Sequence, residues 1–193
     1  GGVRVFIDTS KDINNQYLYM VMAMAEGEVE DIHSIEIDGV SIDDDKFIQS
    51  GLGANFIYEK FLGGDDQTAS DLIIDGVAYS TAAEVPPEVA IYLANQPNNK
   101  PWNENHKLQG VAYLAMKMLW DPNAYSGVPD ITAIVKGKKV YDPRYPSAAK
   151  AWSSNPALCI RDYLTNTRYG KGIPESAIND TMFSQAANDY DAF

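Results

Sequence analysis

Apolar residues in the first half of the chain recur mainly with the short periods that indicate β-strands. Residues 3–7 alternate weakly and predict a short strand, and residues 55–62 predict another. The apolar run of residues 17–25 fits either a buried strand or a helix. Residues 35–42 predict a hairpin, because an Asp-Gly dipeptide at their centre favours a tight turn between strands.

The middle of the chain is rich in loop-forming residues. Proline and asparagine are concentrated between Gln96 and His106, which is typical of loops. Residues 69–74 predict one helical turn, and residues 87–94 predict another that starts at a proline. We therefore expect a helical insertion, residues 65–105, that leaves and rejoins a β-rich domain.

The segment from Leu108 to Trp120 fits two structures. Its apolar residues match helical spacing, and Ala, Leu, Met and Lys are good helix formers, which slightly favours a helix. A buried strand of the same composition would show no periodicity, so a strand stays open. After it, residues 131–135 and 139–141 predict two strands joined by a turn at residues 136–138.

The last forty residues change to helical spacing. Asn155 and Pro156 predict the start of a helix, because they suit its N-cap and first helical position. The predicted apolar face of this helix holds Leu158, Cys159, Tyr163 and Leu164. A second helix is predicted from about Pro174, with an apolar stripe of Ile178, Met182, Ala186 and Tyr190. The predicted fold class is therefore α+β, with a β-rich domain over residues 1–150 followed by a helical pair over residues 151–193.

Composition indicates a globular and acidic chain. Of its 193 residues, 45% are apolar and 11% aromatic, which suits a packed core and disfavours disorder. The 15 Lys and Arg against 27 Asp and Glu give a net charge of −12, which disfavours binding to duplex DNA or anionic lipid. No apolar run approaches the ~20 residues of a membrane helix. The lone cysteine precludes an internal disulfide and fits folding in a reducing compartment.

Residues suited to nucleophilic catalysis do not form a recognised pattern. The sequence has no nucleophile elbow, and we interpret His33 and His106 as ordinary surface or loop histidines. Cys159 is interpreted as a small buried hydrophobe rather than a reactive thiol. We therefore expect no enzymatic activity and no catalytic residue. A carboxylate-dependent glycosidase or peptidoglycan hydrolase stays a weaker hypothesis, because the sequence does not give the separations between carboxylates.

Motifs for metals and phosphates are equally weak. Residues 43–45 and 65–66 are aspartates without the spacing of a calcium loop, so we favour solvated turn charge. Residues 51–53, Gly-Leu-Gly, lack the third glycine of a phosphate-binding loop, and residues 136–139 form only a short basic patch. Asn179 begins a glycosylation sequon that is informative only in a secreted protein. The sequence predicts no cofactor and no metal site.

Aromatic residues are the more suggestive feature. The chain has 12 tyrosines and 3 tryptophans, and such side chains can form a surface that binds sugars or proteins. The interpretation that we favour is that they pack on half-buried strands. A carbohydrate- or receptor-binding module that uses exposed Tyr and Trp remains the alternative function.

Three stretches of the chain carry a family pattern. They are residues 17–32 with 35–39, residues 106–121 with 128–144, and residues 151–166 with 168–170. The most specific part is Val-Lys-Gly-Lys-Lys-Val-Tyr-Asp-Pro-Arg at residues 135–144, followed by Trp-Ser-Ser-Asn-Pro-Ala at residues 152–157. In this order the stretches resemble the central tail-tip (hub) proteins of phages with long, non-contractile tails, the group of the lambda host-specificity protein J and its prophage relatives.

The resemblance implies a structural role in a virion. Proteins of this group form a trimeric hub that closes the tail tube and passes DNA during ejection. The chain is then expected to be made in the bacterial host cytoplasm and to reside in the virion tail tip. Its expected partners are its own copies, as a homotrimer, and other tail proteins, with transiting DNA as non-specific cargo and no membrane contact. The resemblance carries over no catalytic residue and implies that residues 108–120 form a long strand.

The ends of the sequence indicate a fragment. It starts at Gly1 without an initiator Met and stops at Phe193, directly after a predicted helix. Within the hub family the fragment matches the N-terminal half, so host-receptor binding is expected in other parts of the longer protein. The net negative charge suggests an acidic hub lining, which would keep transiting DNA from adhering.

Overall fold

The structure of the chain is a computed structural model. It describes residues 2–11, 15–48, 56–79, 84–87, 90, 100–121 and 127–192. Contacts divide the chain into a first unit, Gly1–Val135, and a second unit, Lys136–Phe193. The predicted α+β class with a C-terminal helical pair is confirmed. The predicted domain extents, residues 1–150 and 151–193, stay a prediction.

The first unit is built mainly from strands. Its elements are β1 (Val3–Thr9), β2 (Tyr17–Glu26), β3 (Val29–Ile37), β4 (Val40–Ser41), α1 (Asp45–Ile48), β5 (Phe56–Leu62), α2 (Asp71–Gly76), β6 (Val111–Leu119) and the first half of β7 (Ile131–Val140). One antiparallel sheet has the order β1-β2-β6-β5. In the other sheet β3 lies between β4 and β7. The strands predicted near residues 3–7 and 55–62 are confirmed as β1 and β5.

The first sheet is covered on both of its faces. Side chains of one face, among them Met20 of β2 and Met116 of β6, form a core with Ile32 and other isoleucines of β3. Side chains of the opposite face, among them Tyr113, form a second core with the helix α2 and with Trp102. Strands buried on both faces have no polar face, so their sequences show no alternation.

This burial on both faces explains why the sequence pattern of the segment from Leu108 to Trp120 is ambiguous. The local preference for a helix is wrong, and the strand implied by the family resemblance is confirmed as β6. β6 is a central strand that pairs with β2 on one side and β5 on the other. Tertiary pairing therefore overrides the helix propensity of its Ala, Leu and Met residues.

The hairpin predicted over residues 35–42 is confirmed. Asp38 and Gly39 join β3 to β4 and have φ values of 51° and 76°. Two successive positive φ values are typical of the tight turn that matches the twist of antiparallel strands.

The ends of the insertion between β5 and β6 are held together by one buried glutamine. The side chain of Gln67 donates to the carbonyls of Lys107 and Leu108, each at 2.9 Å, and accepts from the Gly63 N–H at 2.8 Å. It also donates to the Val111 carbonyl at 3.2 Å. A Cβ at Gly63 would lie 2.5 Å from a carbonyl oxygen in the β2–β3 turn, so this junction requires glycine.

The helical turn predicted over residues 69–74 is confirmed as α2. Ser70 caps it, accepting a hydrogen bond from the Ile73 N–H at 3.3 Å. Ile73 and Ile74 are buried against the first sheet. The second turn, predicted over residues 87–94, lies for the most part outside the described residues.

The second unit contains the second half of β7 and the helical pair. Its other elements are β8 (Ala151–Trp152), α3 (Pro156–Thr165), a 3-10 helix (Glu175–Ala177) and α4 (Asp180–Asp191). The turn predicted at residues 136–138 is wrong, because β7 continues through Gly137. A Cβ at this glycine would meet only the indole of Trp152, at ordinary contact distance, so the strand has room for a larger residue there. None of the helices in the described ranges is long and apolar enough to cross a membrane.

The first helix of the pair begins where the sequence predicts. The Asn155 side chain accepts a hydrogen bond from the Ala157 N–H at 3.0 Å, and Pro156 opens the helix. Its buried face consists of Ala157, Leu158 and Arg161. The prediction that Cys159 and Tyr163 belong to this face is wrong, since both are exposed. Arg161 takes the inward position because Asp180 binds its guanidinium, with Nε 2.7 Å from the carboxylate.

The second helix starts later than predicted. A short 3-10 helix follows Pro174, and α4 starts at Asp180 after an N-cap at Asn179, whose side chain accepts from the Met182 N–H. Ala187 is buried, with Phe183 and Ala186 packed beside it. The predicted stripe is wrong for its largest members, because Met182 and Tyr190 are 67% and 55% exposed.

Candidate functional site

Formal charge is divided unevenly between the two units. The first unit has 7 Lys and Arg against 21 Asp and Glu, which gives −14, and the second has 8 against 6, which gives +2. Nine of the acidic residues lie in the segment of residues 26–45, which contains no Lys or Arg. Eight of these nine side chains are exposed. This segment, named here the acidic segment, gives the first unit a surface that repels polyanions.

A cleft lined by two lysines and one aspartate opens on the face of the first sheet that carries α2. Its volume is about 320 Å³. We name it the tyrosine–lysine cleft, and its lining residues are Ser10, Lys11, Tyr17, Tyr19, Asp75, Gly76, Ala78 and Lys117. Tyr19 of β2 and Lys117 of β6 are paired across the strands, so their side chains share this face. The Lys117 ammonium lies 4.0 Å from the ring centroid of Tyr17 and 5.8 Å from that of Tyr19.

The wall of the tyrosine–lysine cleft depends on a close approach of α2 to β2. Gly76 lies directly against the ring of Tyr19, and a Cβ at this position would overlap the ring carbons. Only glycine therefore permits the observed packing. At the neighbouring position, Asp75 points a largely exposed carboxylate toward Lys100, with Nζ and Oδ1 3.6 Å apart.

Ionic contacts in the second unit centre on Arg144. Its guanidinium binds Asp142 through two hydrogen-bonded nitrogens, at 3.0 and 2.7 Å, and Asp191 of α4 at 2.7 Å. Asn155 donates to the same Asp191 carboxylate at 2.8 Å. The hydrogen bonds from Arg144 hold the pKa of Asp142 and of Asp191 below the ordinary value. This cluster ties the residues after β7 to the last turn of α4.

We expect this cluster to make the second unit acid-sensitive. A carboxylate with a depressed folded-state pKa adds stability that is complete above the unfolded pKa of about 3.9 and is lost as the pH falls through the folded value. In Arg144→Gln the pKa values of Asp142 and Asp191 return toward that ordinary value. The stability difference between wild type and variant should therefore be largest near pH 6 and shrink below pH ~4.

Hydrogen exchange of α4, measured from pH 6 to pH 3 with intrinsic exchange rates corrected, checks this expectation. Lys150→Gln is the matched control, because Lys150 is exposed and forms no ion pair among the residues that the structure describes. A difference between wild type and Arg144→Gln that stays constant over the whole pH range would contradict the assignment.

The short basic patch of residues 136–139 is not a free cationic surface. Lys138 binds the Asp162 carboxylate at 2.9 and 3.1 Å and also contacts the Tyr169 hydroxyl. These hydrogen bonds raise the pKa of Lys138, in spite of the opposite effect of its partial burial. Lys136 lies over the indole of Trp152, 4.9 Å from the ring centroid. These two lysines therefore make contacts within the second unit rather than presenting their charge to a ligand.

The two histidines have local structural roles. The His106 ring lies 4.7 Å from Trp102, and its Nδ1 accepts a hydrogen bond from the Asn103 N–H at 3.1 Å. His33 has its Nδ1 3.0 Å from the hydroxyl of Ser34, in β3. The interpretation of both as ordinary histidines is thus consistent with their contacts.

Other residues singled out in the sequence also have structural explanations or remain outside the described ranges. Cys159 is exposed rather than buried, and its thiol lies 3.5 Å from the Ser153 carbonyl oxygen. Asn179 serves as the N-cap of α4. Residues 51–53 lie outside the described residues. Within the described ranges no group of three or more His, Cys, Asp or Glu is placed to hold a metal ion.

Aromatic side chains divide between cores and surface. Tyr19 and Tyr113 are buried strand residues, as the favoured interpretation expects, whereas the buried Trp102 lies outside the strands. Within the part of the chain that the structure describes, the aromatic residues with substantial exposure are Tyr58, Trp120, Tyr145, Trp152, Tyr163, Tyr169 and Tyr190. Lys117 was not singled out from the sequence. In the sequence, Lys117 stands out only as a lysine within an apolar run. Its position beside the tyrosines follows from the strand register, which the sequence does not show.

The chain is similar to solved structures, but not to a family model or to a curated protein. Among solved structures, the chain is similar to a chain of the virion of a native gene transfer agent particle, with 16% identity and a TM-score of 0.45. The match covers 86% of this chain and 32% of that chain, so this chain spans about a third of the length of its neighbour. At this TM-score the likeness does not assign a fold or a function.

Proposed function

We propose that the chain is a structural component of a virion and forms part of the hub at the tip of a phage tail. The proposal starts from the three family-like stretches, which begin with residues 17–39 and end with residues 151–170. In the assembled tail the chain associates with its own copies, as a homotrimer, and with other tail proteins. The proposed role is structural, without catalytic activity.

The observation that carries the proposal is the strand β6. The local composition of residues 108–120 favours a helix, whereas the hub resemblance implies a long strand. The chain has a nine-residue strand there, Val111–Leu119, at the centre of the first sheet. The strand β6 therefore supports the resemblance independently, because local composition alone would have predicted a helix.

The gene transfer agent neighbour is also a virion component. Its TM-score of 0.45 is too low to add weight, so the proposal rests on the sequence stretches and on β6.

Charge on the first unit is consistent with the proposed passage of DNA. The acidic segment, residues 26–45, presents eight exposed acidic side chains and itself contains no Lys or Arg. Like charge lowers the affinity of a surface for a polyanion. In the proposed hub such a surface lets DNA pass as cargo without binding it.

Immunogold electron microscopy of intact particles tests the proposal. Antibodies raised against the chain should label only the distal end of the tail, and the same serum adsorbed with the purified chain should leave the particles unlabelled. Label along the tail or on the capsid would overturn the hub assignment. Unlabelled particles, with the protein free in the lysate, would overturn the virion role as well.

A further inference from the structure

The second unit presents a surplus of positive charge at its surface. Its formal net charge is +2, against −14 for the first unit. Four of its six carboxylates are already bound by cations of the same unit. Lys150 and Lys171, by contrast, are exposed and form no ion pair in the part of the chain that the structure describes. Of the two units, the second is therefore the one suited to an acidic partner.

Exposed aromatic side chains lie beside Lys150. Tyr145 and Trp152 line one cleft of about 190 Å³, and Lys150 lies between two alanines of the same lining. Lys136 covers one face of the Trp152 indole, yet Trp152 and Tyr145 remain 41% and 63% exposed. We name Tyr145, Lys150 and Trp152 the aromatic patch. Protein–protein interfaces are rich in Tyr and Trp, so this exposed surface is suited to a protein partner.

The first unit has a groove of complementary character beside α2. Its volume is about 270 Å³, and we name it the α2 groove, lined by Thr68, Ala69, Asp71, Ile74, Glu104 and Lys107. Ala69 and Ile74 give it an apolar floor. Asp71 and Glu104 are exposed and form no ion pair among the described residues, whereas Lys107 is the single cation of the lining. An apolar floor with a net acidic rim matches a patch that combines aromatic rings with a lysine.

The α2 groove and the acidic segment lie on opposite faces of the first sheet. α2 packs on the face that carries Tyr113, whereas β3, which belongs to the acidic segment, packs on the face that carries Met116. A hub in which the acidic segment faces the DNA therefore leaves the α2 groove open to a neighbouring copy.

A homotrimer requires a contact between two different surfaces of the chain. Around a three-fold axis each copy presents one surface to one neighbour and a second surface to the other, which is a heterologous contact. Two first units of −14 each repel one another, and so do two second units of +2, whereas a second unit attracts a first unit. The division of charge thus favours the second unit of one copy against the first unit of the next copy.

We propose that the aromatic patch of one copy packs on the α2 groove of the next copy. Tyr145 and Trp152 cover the apolar floor of the groove, and the Lys150 ammonium binds Asp71 or Glu104 on its rim. The contact repeats around the three-fold axis, so every copy uses both surfaces once. This inference rests on the proposed homotrimer and names the two surfaces that build it.

Zero-length cross-linking of the purified chain tests the contact directly. A carbodiimide joins a lysine to a carboxylate without a spacer, so it reports ion pairs. Isotopically light and heavy chains are mixed at low ionic strength, at which charges are screened least. We expect mixed light–heavy peptides that join Lys150 to Asp71 or Glu104. Cross-links within single chains only, or mixed cross-links that join only other residues, overturn the proposal.

Charge reversal separates the contact from general attraction. Lys150→Glu should weaken self-association, measured by sedimentation, about fivefold, because like charges then face each other. Lys171→Glu is the matched control, since it makes the same charge change on an exposed lysine of the same unit outside the patch, and should change it less than about twofold. Equal effects of the two variants, or a wild-type chain that stays monomeric at every concentration, overturn the contact.

A charge swap identifies the partner as a second copy. Asp71→Lys or Glu104→Lys, at whichever carboxylate cross-links, should also weaken self-association about fivefold. A mixture of this variant with Lys150→Glu should associate to within about twofold of the wild type, because the reversed charges are again opposite. A mixture that associates no better than either variant alone overturns the pairing.

Failure of this contact is distinguishable from failure of the proposed function. Immunogold label at the tail tip without the mixed cross-links overturns the contact and leaves the hub assignment standing. The mixed cross-links without label at the tail tip support the contact and overturn the hub assignment.

Discussion

Replacing Tyr113 with alanine should destabilise the first unit by about 3–5 kcal/mol. The Tyr113 side chain is fully buried in the middle of β6 and stacks on Phe61, with ring centroids 4.3 Å apart and planes 7° apart. Alanine removes the whole ring and leaves a cavity between the first sheet and α2. Hydrogen exchange of residues 111–119 reports this loss directly, since these amides belong to the central strand.

Tyr113→Phe is the matched control for this prediction. The hydroxyl lies 3.5 Å from the Thr68 carbonyl oxygen and also accepts a hydrogen bond from the backbone of Ser70, and burial raises the pKa of Tyr113 well above its ordinary value. Removing only the hydroxyl should cost less than about 1 kcal/mol, because the ring contacts stay. A large loss in Tyr113→Phe, or a small one in Tyr113→Ala, would show that packing of the ring is not what stabilises β6.

The second large effect is expected from Gly170→Ala in the second unit. Gly170 packs against the end of α3, and a Cβ there would overlap the carbonyl oxygen of Tyr163 and lie 2.7 Å from that of Asn166. Both are backbone atoms that also accept hydrogen bonds from the turn that follows α3. The backbone has to shift, and we expect a loss of about 3 kcal/mol, detected as faster hydrogen exchange in α3.

Gly137→Ala provides the comparison within the same unit. A Cβ at Gly137 meets only indole atoms of Trp152, at 3.8 and 3.9 Å, which is ordinary contact. This substitution should change the stability of the second unit by less than about 0.5 kcal/mol. Equal effects of the two glycine substitutions would contradict the role given to Gly170.

Elements with one solvated face were predictable from the sequence, and elements covered on both faces were not. The hairpin at Asp38 and Gly39 was predictable because its turn residues carry the signal in their own backbone preferences. β6 was ambiguous because its pairing with β2 and β5 is a tertiary feature that local composition does not contain. The resemblance to hub proteins supplied that information.

The predictions of the buried helix faces were wrong for a different reason. Hydrophobic periodicity assigned Cys159 inward, but the inner position belongs to Arg161, whose charge is compensated by Asp180 on the other helix. Hydrophobic periodicity assigns every charged residue to the surface, so a buried one is recognised only when its partner is known. The same limit applies to Lys117, because its partners Tyr17 and Tyr19 lie about one hundred residues earlier and meet it only through the strand register.

Gln67 has a consequence for how the length of this chain can change. Its hydrogen bonds bring the exit of β5 and the entry of β6 to a fixed separation, so the intervening chain is a loop closed at its base. The entropy of closing a loop grows only logarithmically, at about 0.6 kcal/mol for each doubling of its length. Extra residues inserted after α2 therefore cost the sheet little, provided that Gly63 and Gln67 stay to close the base of the loop.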